Sequence, residues 1–219
     1  MDSRHIAELL RPFLGASPAA PAGGTASLSP AQLERISMYI DILLRWNARI
    51  NLTAVRDPEQ IVTRHFGESL FTARCLFPEA AREHVIDLGS GAGFPGLPLK
   101  IWVPGLRLTL IESNQKKATF LREVSRALTL TEVDVFHGRA ESYVGELANT
   151  VTLRAVERFE LAAPLALKLT VPDGKLALLI AAGQAEVARR LLLEIQWQEE
   201  RPIPLSERRI LLLGHRRRA

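Results

Sequence analysis

Apolar positions along the first third of the chain recur with a helical period. Residues 3–14 form one short amphipathic pattern. Ser29-Pro30-Ala31-Gln32 then reads as a helix start, with Ser as the cap, Pro in the first turn and Gln three positions on. Leu33, Ile36, Ile40, Leu43 and Leu44 fall on one face of that helix. Asp57-Pro58-Glu59-Gln60 repeats the start signal, and the pattern predicts a helix to about Leu76. Between the first two helices, residues 16–26 are rich in Ala, Pro and Gly with nothing to bury, which predicts a flexible linker. Residues 1–80 are thus expected to form a helical extension, and residues 81–219 a second unit.

From Val85 the pattern changes to short apolar runs alternating with amphipathic segments. Strands are predicted at 84–88, 106–112, 132–137, 150–154 and 175–181. Helices are predicted between and beyond them at 94–102, 114–128, 140–147, 158–170 and 184–194. Two further strands near 196–203 and 208–214 complete a seven-stranded sheet. Repeated strand–helix units imply an α/β fold with a parallel sheet covered on both faces. In such sheets ligands sit beyond the strand C-termini, near the point where strand order reverses.

The chemistry concentrates at that rim. His84-Val85-Ile86-Asp87-Leu88-Gly89-Ser90-Gly91-Ala92-Gly93-Phe94-Pro95-Gly96 reads as a strand entering a Gly-rich turn and then a helix. Glycine lacks a Cβ and tolerates positive φ, so such a turn lets backbone approach a nucleotide closely. The run Leu106 to Ile111 ends in Glu112, nineteen residues past Gly93. A carboxylate at a strand end with that spacing suits both hydroxyls of a ribose. No Gly-Lys-Ser or Gly-Lys-Thr follows the turn, which excludes a phosphate loop. Asp87 before the first glycine suits a cationic ligand such as S-adenosylmethionine and would repel a pyrophosphate. Its alternative role is to fix the turn or cap the helix.

These residues resemble a known family, the bacterial small-subunit ribosomal RNA guanine-N7 methyltransferases (RsmG, or GidB). Four motifs carry the likeness: Trp46 to Pro58, Arg64-His65 with Glu68-Ser69-Leu70, Asp87 to Leu99, and Arg139-Ala140-Glu141. Arg154-Ala155 and the closing stretch Arg208 to Leu213 fit as well. The sequence departs from the family pattern at Glu68, where Asp is usual, at Asn149, where an acid is expected, and at Ala182, where lysine is common.

The resemblance implies a class I, Rossmann-like, S-adenosylmethionine-dependent methyltransferase whose last strand is antiparallel. It implies cofactor contacts at Gly89, Phe94, Glu112, Ala140, Glu141 and Arg154, which join Asp87, Gly91 and Gly93 of the turn. It also implies methylation of a guanine N7 in 16S ribosomal RNA. That nitrogen bears a lone pair and no proton, so no general base is required, and Arg154 is the candidate orienting residue. The alternative for Arg154 is a salt bridge pinning its strand to the extension. Glu141 reads as an adenine contact or a helix cap, and Phe94 as a cofactor neighbour or core. His65 reads as a contact to the target base or as a partner in a polar helix interface. The Trp46–Thr53 motif reads as packing of the extension on the sheet, with Asn47 and Asn51 bonding backbone, or as an RNA contact.

Composition narrows the picture little further. The chain is 47% hydrophobic and 24% charged, which suits a globular protein. No apolar run approaches about 18 residues, and the N-terminus does not read as a signal peptide, so a cytoplasmic protein is expected; a monomer is expected as well. The single cysteine, Cys75, cannot form an internal disulfide, and no metal-ligand spacing is present. The net charge of +4 is mild, but its placement is informative. Lys116, Lys117, Arg122 and Arg126 form a basic cluster beside the cofactor rim, suited to RNA phosphates. Six arginines against one acid follow from Arg201 onward. Two other functions stay open from the residues alone: an NAD-dependent oxidoreductase, and a non-catalytic RNA-binding ribosome assembly factor.

Overall fold

The computed structural model describes residues 1–15, 27–78, 80–154 and 158–218. The 16–26 segment and Ala155 lie outside the described residues. Helix α1 (Ser3–Leu14) buries Ile6, Leu10, Phe13 and Leu14, spaced three or four apart as an amphipathic helix requires. Helix α2 (Pro30–Asn47) opens on the expected capping box, in which Ser29 and Gln32 exchange hydrogen bonds. The Gln32 amide also donates to the carbonyls of Ile101 and Trp102, closing the end of a later helix. Asp57 accepts from the Gln60 amide and starts α3 (Pro58–Gln60). The chain then passes through a π-helical stretch, Ile61–Gly67, into α4 (Glu68–Leu76). The expected single helix is therefore interrupted where Arg64 and His65 sit.

Strands and helices then alternate: β1 (His84–Leu88), α5 (Gly96–Trp102), β2 (Arg107–Glu112), α6 (Gln115–Ala127), β3 (Val133–His137) and β4 (Ala148–Arg154). They continue with α7 (Phe159–Leu169), β5 (Thr170–Ala181), α8 (Ala185–Leu191), β6 (Ile195–Trp197), β7 (Arg201–Pro202) and β8 (Arg209–Arg216). The sheet order is β3-β2-β1-β4-β5-β8-β6, with β7 also paired to β8. Strands β1 to β5 are mutually parallel and β8 is antiparallel to β5. Strand order reverses at β1, between β2 and β4, which places the ligand crevice at their C-terminal ends.

Two expectations need correction. The sheet has eight strands, because the predicted strand at 196–203 is split. Trp197 pairs with Gly214 and Arg201 with Leu211, so four steps on one side span three on the other. A bulge absorbs the extra residue, at the polar Gln198-Glu199-Glu200. The predicted helix at 140–147 is only one 3-10 turn, Ala140–Ser142. Tyr143 leaves it in an extended conformation and packs edge-on against Phe136 of β3, at 5.2 Å.

Alternate residues of the central strands feed two cores. Ala177, Leu179, Leu211 and Leu213 join the extension, α5 and α6 on one face. Leu176, Leu178, Ile180, Ile210 and Leu212 join α7 and α8 on the other. A sheet buried on both sides needs this near-continuous apolar pattern.

Candidate active site

A cavity of about 480 Å³ opens at the C-terminal ends of β1, β2 and β4. Gly89, Ser90, Gly91 and Glu112 line one side, and Thr53, His65, Phe94 and Arg154 another. Arg64, Lys117 and Arg209 also line it. A neighbouring cleft of about 440 Å³, lined by Phe13, Thr63 and Arg208, shares Arg64 and Arg209 with it.

The three glycines of the turn have φ of 71°, 56° and 86°. Two of them serve different ends. A Cβ on Gly91 would meet nothing nearer than the Gly89 carbonyl at 3.8 Å, so its bare surface is free for a ligand. A Cβ on Gly93 would fall 2.3 Å from the Tyr39 hydroxyl, so Gly93 admits helix α2 instead. Tyr39 is fully buried, stacks on Phe94 with centroids 5.4 Å apart and donates to the Ala92 carbonyl. The extension thus clamps the far side of the turn. Tyr39 was not expected in this role, although it sits in the apolar stripe beside Ile36, Ile40 and Leu43.

Glu112 closes β2 as expected. Its Oε2 accepts from the Gly91 amide at 2.8 Å and its Oε1 from the Asn114 amide at 2.7 Å. A carboxylate has about four acceptor directions, so both oxygens keep capacity for a ligand.

Of the two roles open to Asp87, facing a cationic ligand or fixing the turn, its hydrogen bonds match the second. Its side chain is buried beneath the turn and does not line the cavity. Oδ1 accepts from the Thr152 hydroxyl at 2.7 Å and Oδ2 from the Gly96 amide at 3.2 Å, at the start of α5. That is the turn-fixing role, favoured because a buried carboxylate must have its hydrogen bonds made locally. Burial nonetheless lifts its pKa to about 6, partly offset by the Thr152 and Gly96 hydrogen bonds.

Arg154 lines the cavity and is already engaged. Its Nε and Nη2 both donate to Glu68 Oε2, at 3.2 and 2.9 Å. Nη2 also donates to the Arg64 carbonyl at 2.8 Å and to His65 Nδ1 at 3.0 Å. The guanidinium lies 5.8 Å from the centroid of the Phe94 ring. The salt bridge from β4 to the extension is thus present, and Glu68, longer than the family's Asp, also reaches Arg209 at 3.3 Å. His65 stacks on Phe94 with centroids 4.9 Å apart. Burial, then the charges of Arg154, Arg64 and Arg209, push its pKa down to about 3. His65 Nε2 lies 2.8 Å from Thr53 Oγ1.

Asn47 bonds backbone as expected: its Oδ1 accepts from the Leu52 and Thr53 amides, and its Nδ2 donates to the Thr53 carbonyl. Ala140 and Glu141 sit in the 3-10 turn after β3 and do not line the cavity. On α6, Lys116, Arg122 and Arg126 are exposed, while Lys117 is half-buried and lines the cavity. Arg122 donates to the Val135 carbonyl at 3.0 Å, tying α6 to β3. Asn149, at the departure on β4, accepts from the His84 amide at 3.0 Å.

The chain is similar to proteins of known class. The family described as rRNA small subunit methyltransferase G (GidB) matches residues 32–203. A protein of Bacillus cytotoxicus named ribosomal RNA small subunit methyltransferase G is 34% identical over 214 residues, spanning 88% of this chain and 86% of its own. One of the same name from Chloroflexus aggregans is 44% identical over 154 residues, spanning 68% of this chain and 64% of its own. The structure of a ribosomal protein L11 methylase from Lactobacillus delbrueckii subsp. bulgaricus superposes with a TM-score of 0.60 at 12% identity, covering 71% of this chain and 79% of that one. This last likeness shows the fold alone.

Proposed function

Because the chain belongs to the rRNA small subunit methyltransferase G family, it is a ribosomal RNA methyltransferase, and we propose that it transfers a methyl group from S-adenosylmethionine to the N7 of a guanine in 16S RNA. The observation that carries the cofactor assignment is the pairing of Glu112 with the bare turn at Gly91 on one side of the cavity. The residues present suit the group. Gly89 and Gly91 offer backbone without side chains, and Glu112 has acceptor capacity for ribose hydroxyls. Phe94 supplies an apolar surface, and Ala140 and Glu141, in the turn after β3, would be the residues to hold the adenine. The bound cofactor supplies an electrophilic methyl on a sulfonium.

The protein's part is positioning. Guanine N7 attacks with its own lone pair, so catalysis comes from alignment and exclusion of water. The site matches that demand. His65 is held neutral, with both ring nitrogens in hydrogen bonds, and serves as a fixed part of the wall. Arg154 orients that wall through Glu68 and His65. The basic residues Lys116, Lys117, Arg122 and Arg126 approach RNA phosphates. No described helix is long and apolar enough to cross a membrane. We place the enzyme in the cytoplasm as a monomer, acting on RNA of the small ribosomal subunit.

The experiment compares ribosomal RNA from cells with and without the gene. Reduction and aniline scission should reveal one N7-methylguanine that is lost in the deletion strain. Persistence of every scission site would overturn the assignment.

A further inference from the structure

We propose that the Thr53 hydroxyl is the hydrogen-bond donor that reads O6 of the target guanine, making Thr53 a specificity-determining residue. The proposal rests on the guanine-N7 reading above and names the group that selects the base.

The direction of the bonds around Thr53 is assigned from the chemistry of its neighbours. An arginine side chain donates and never accepts. Arg154 Nη2 lies 3.0 Å from His65 Nδ1, and the proposal assigns Nδ1 as the acceptor of that pair, without a proton. The neutral imidazole then bears its proton on Nε2, which donates to Thr53 Oγ1 at 2.8 Å. The Val55 amide donates to the same oxygen at 3.1 Å. Both acceptor positions of the hydroxyl are filled, and its own proton remains to be given. Toward a ligand in the cavity, Thr53 is a donor only.

The residue is also rigidly placed. Buried Asn47 grips it on both sides, accepting from its amide at 3.1 Å and donating to its carbonyl at 3.0 Å. The plane of the His65 ring is set by its stack on Phe94. On Arg154, Nε and Nη2 are committed to Glu68, the Arg64 carbonyl and His65, which leaves Nη1 as its one donor group toward the cavity.

Guanine presents two adjacent acceptors on one edge, N7 and O6. Adenine presents N7 beside an amino donor. The attacking N7 must face the methyl group without a protein donor, which leaves O6 as the atom to recognise. A donor-only hydroxyl matches O6 and opposes the adenine amino group. Sites built around such a buried polar match reject the wrong partner strongly.

The test uses full-length protein and RNA carrying guanine or 2-aminopurine, which lacks O6, at the target position. Single-turnover methyl transfer is followed from radiolabelled S-adenosylmethionine with enzyme in excess. Thr53→Val should slow transfer to guanine RNA roughly 10- to 100-fold, with cofactor affinity unchanged. Thr53→Ser, which keeps the hydroxyl, should restore most of the rate. On 2-aminopurine RNA the wild type should be slow and Thr53→Val should cost nothing more. Equal rates for Thr53→Val and wild type on guanine RNA overturn the proposal. So does an equal loss on both RNAs, or a Thr53→Ser variant as slow as Thr53→Val. A wild-type protein that transfers no methyl to guanine would instead sink the guanine-N7 reading.

Discussion

Glu112 holds two backbone amides, one on the glycine turn and one at the cap of α6, and offers its remaining lone pairs to the cavity. Replacing it by Gln keeps one acceptor oxygen and turns an amide donor toward the other. Glu112→Gln should weaken S-adenosylmethionine binding by about 1–3 kcal/mol in calorimetry. An unchanged dissociation constant would remove Glu112 from the ribose site. Asp87 makes a different prediction, about stability. Burial lifts its carboxyl from 3.8 to about 6 in the folded protein. A folded pKa above the unfolded one stabilises the protein below pH ~4, and this contribution is lost as pH rises through about 6. In Asp87→Asn, the side-chain oxygen can still accept from the Gly96 amide while the amide group donates to Thr152. The variant should therefore gain on the wild type by about 3 kcal/mol between pH ~4 and ~7, read from denaturation midpoints. A difference that stays constant across this range would contradict the assigned shift.

At the scale of elements, α6 separates its roles by face. Ala118, Leu121, Val124 and Leu128 are buried as the periodicity predicts. Phe120 is buried too, because Trp46 of α2 packs on it at 5.7 Å. Lys116 and Arg126 stand exposed without burying any of the core. The Lys116→Ala, Arg126→Ala double variant should lower RNA affinity and flatten its salt slope by roughly one unit per removed contact. Cofactor affinity should stay unchanged, since neither residue lines the cavity. Identical slopes would mean that this face merely meets water. Lys117 is a less clean probe, because it lines the cavity itself. The elements were legible wherever a period ran for several residues, as in β1, β2 and α6. The prediction failed at 140–147, where Tyr143 finds a better place against Phe136 than in a helix. It also failed at 196–203, where a bulge lies opposite β8. Both failures were decided by contacts with another strand, which a local pattern does not contain.

Across the whole molecule, the extension and the sheet share one apolar core. The cluster that begins at Ile6 of α1 runs through Tyr39, Phe94 and Phe120 to Leu213 of β8. Parts joined in this way lose their stability together. Denaturation followed by tryptophan fluorescence, with Trp46 in the extension and Trp197 in β6, should coincide with loss of far-ultraviolet circular dichroism. Two separated midpoints would show that residues 1–80 and the sheet unfold independently.

The glycine turn, Glu112 after its strand and the alternation of strands with helices are properties of neighbouring residues. Backbone sterics and burial period act over a few positions, so the sequence by itself determined them. The Arg154–Glu68–His65–Thr53 chain joins β4, α4, the π-helical stretch and the loop after α2, with Arg154 and Glu68 86 positions apart. The motifs containing these residues were visible, but not which atom donates to which. That direction needs a donor-only guanidinium placed against one particular imidazole nitrogen. The same holds for Asp87, whose carboxylate could serve a ligand or the turn until Thr152 and Gly96 were brought against it. Only the tertiary structure decided these matters, because hydrogen-bond direction and burial arise from groups that meet in space and not along the chain.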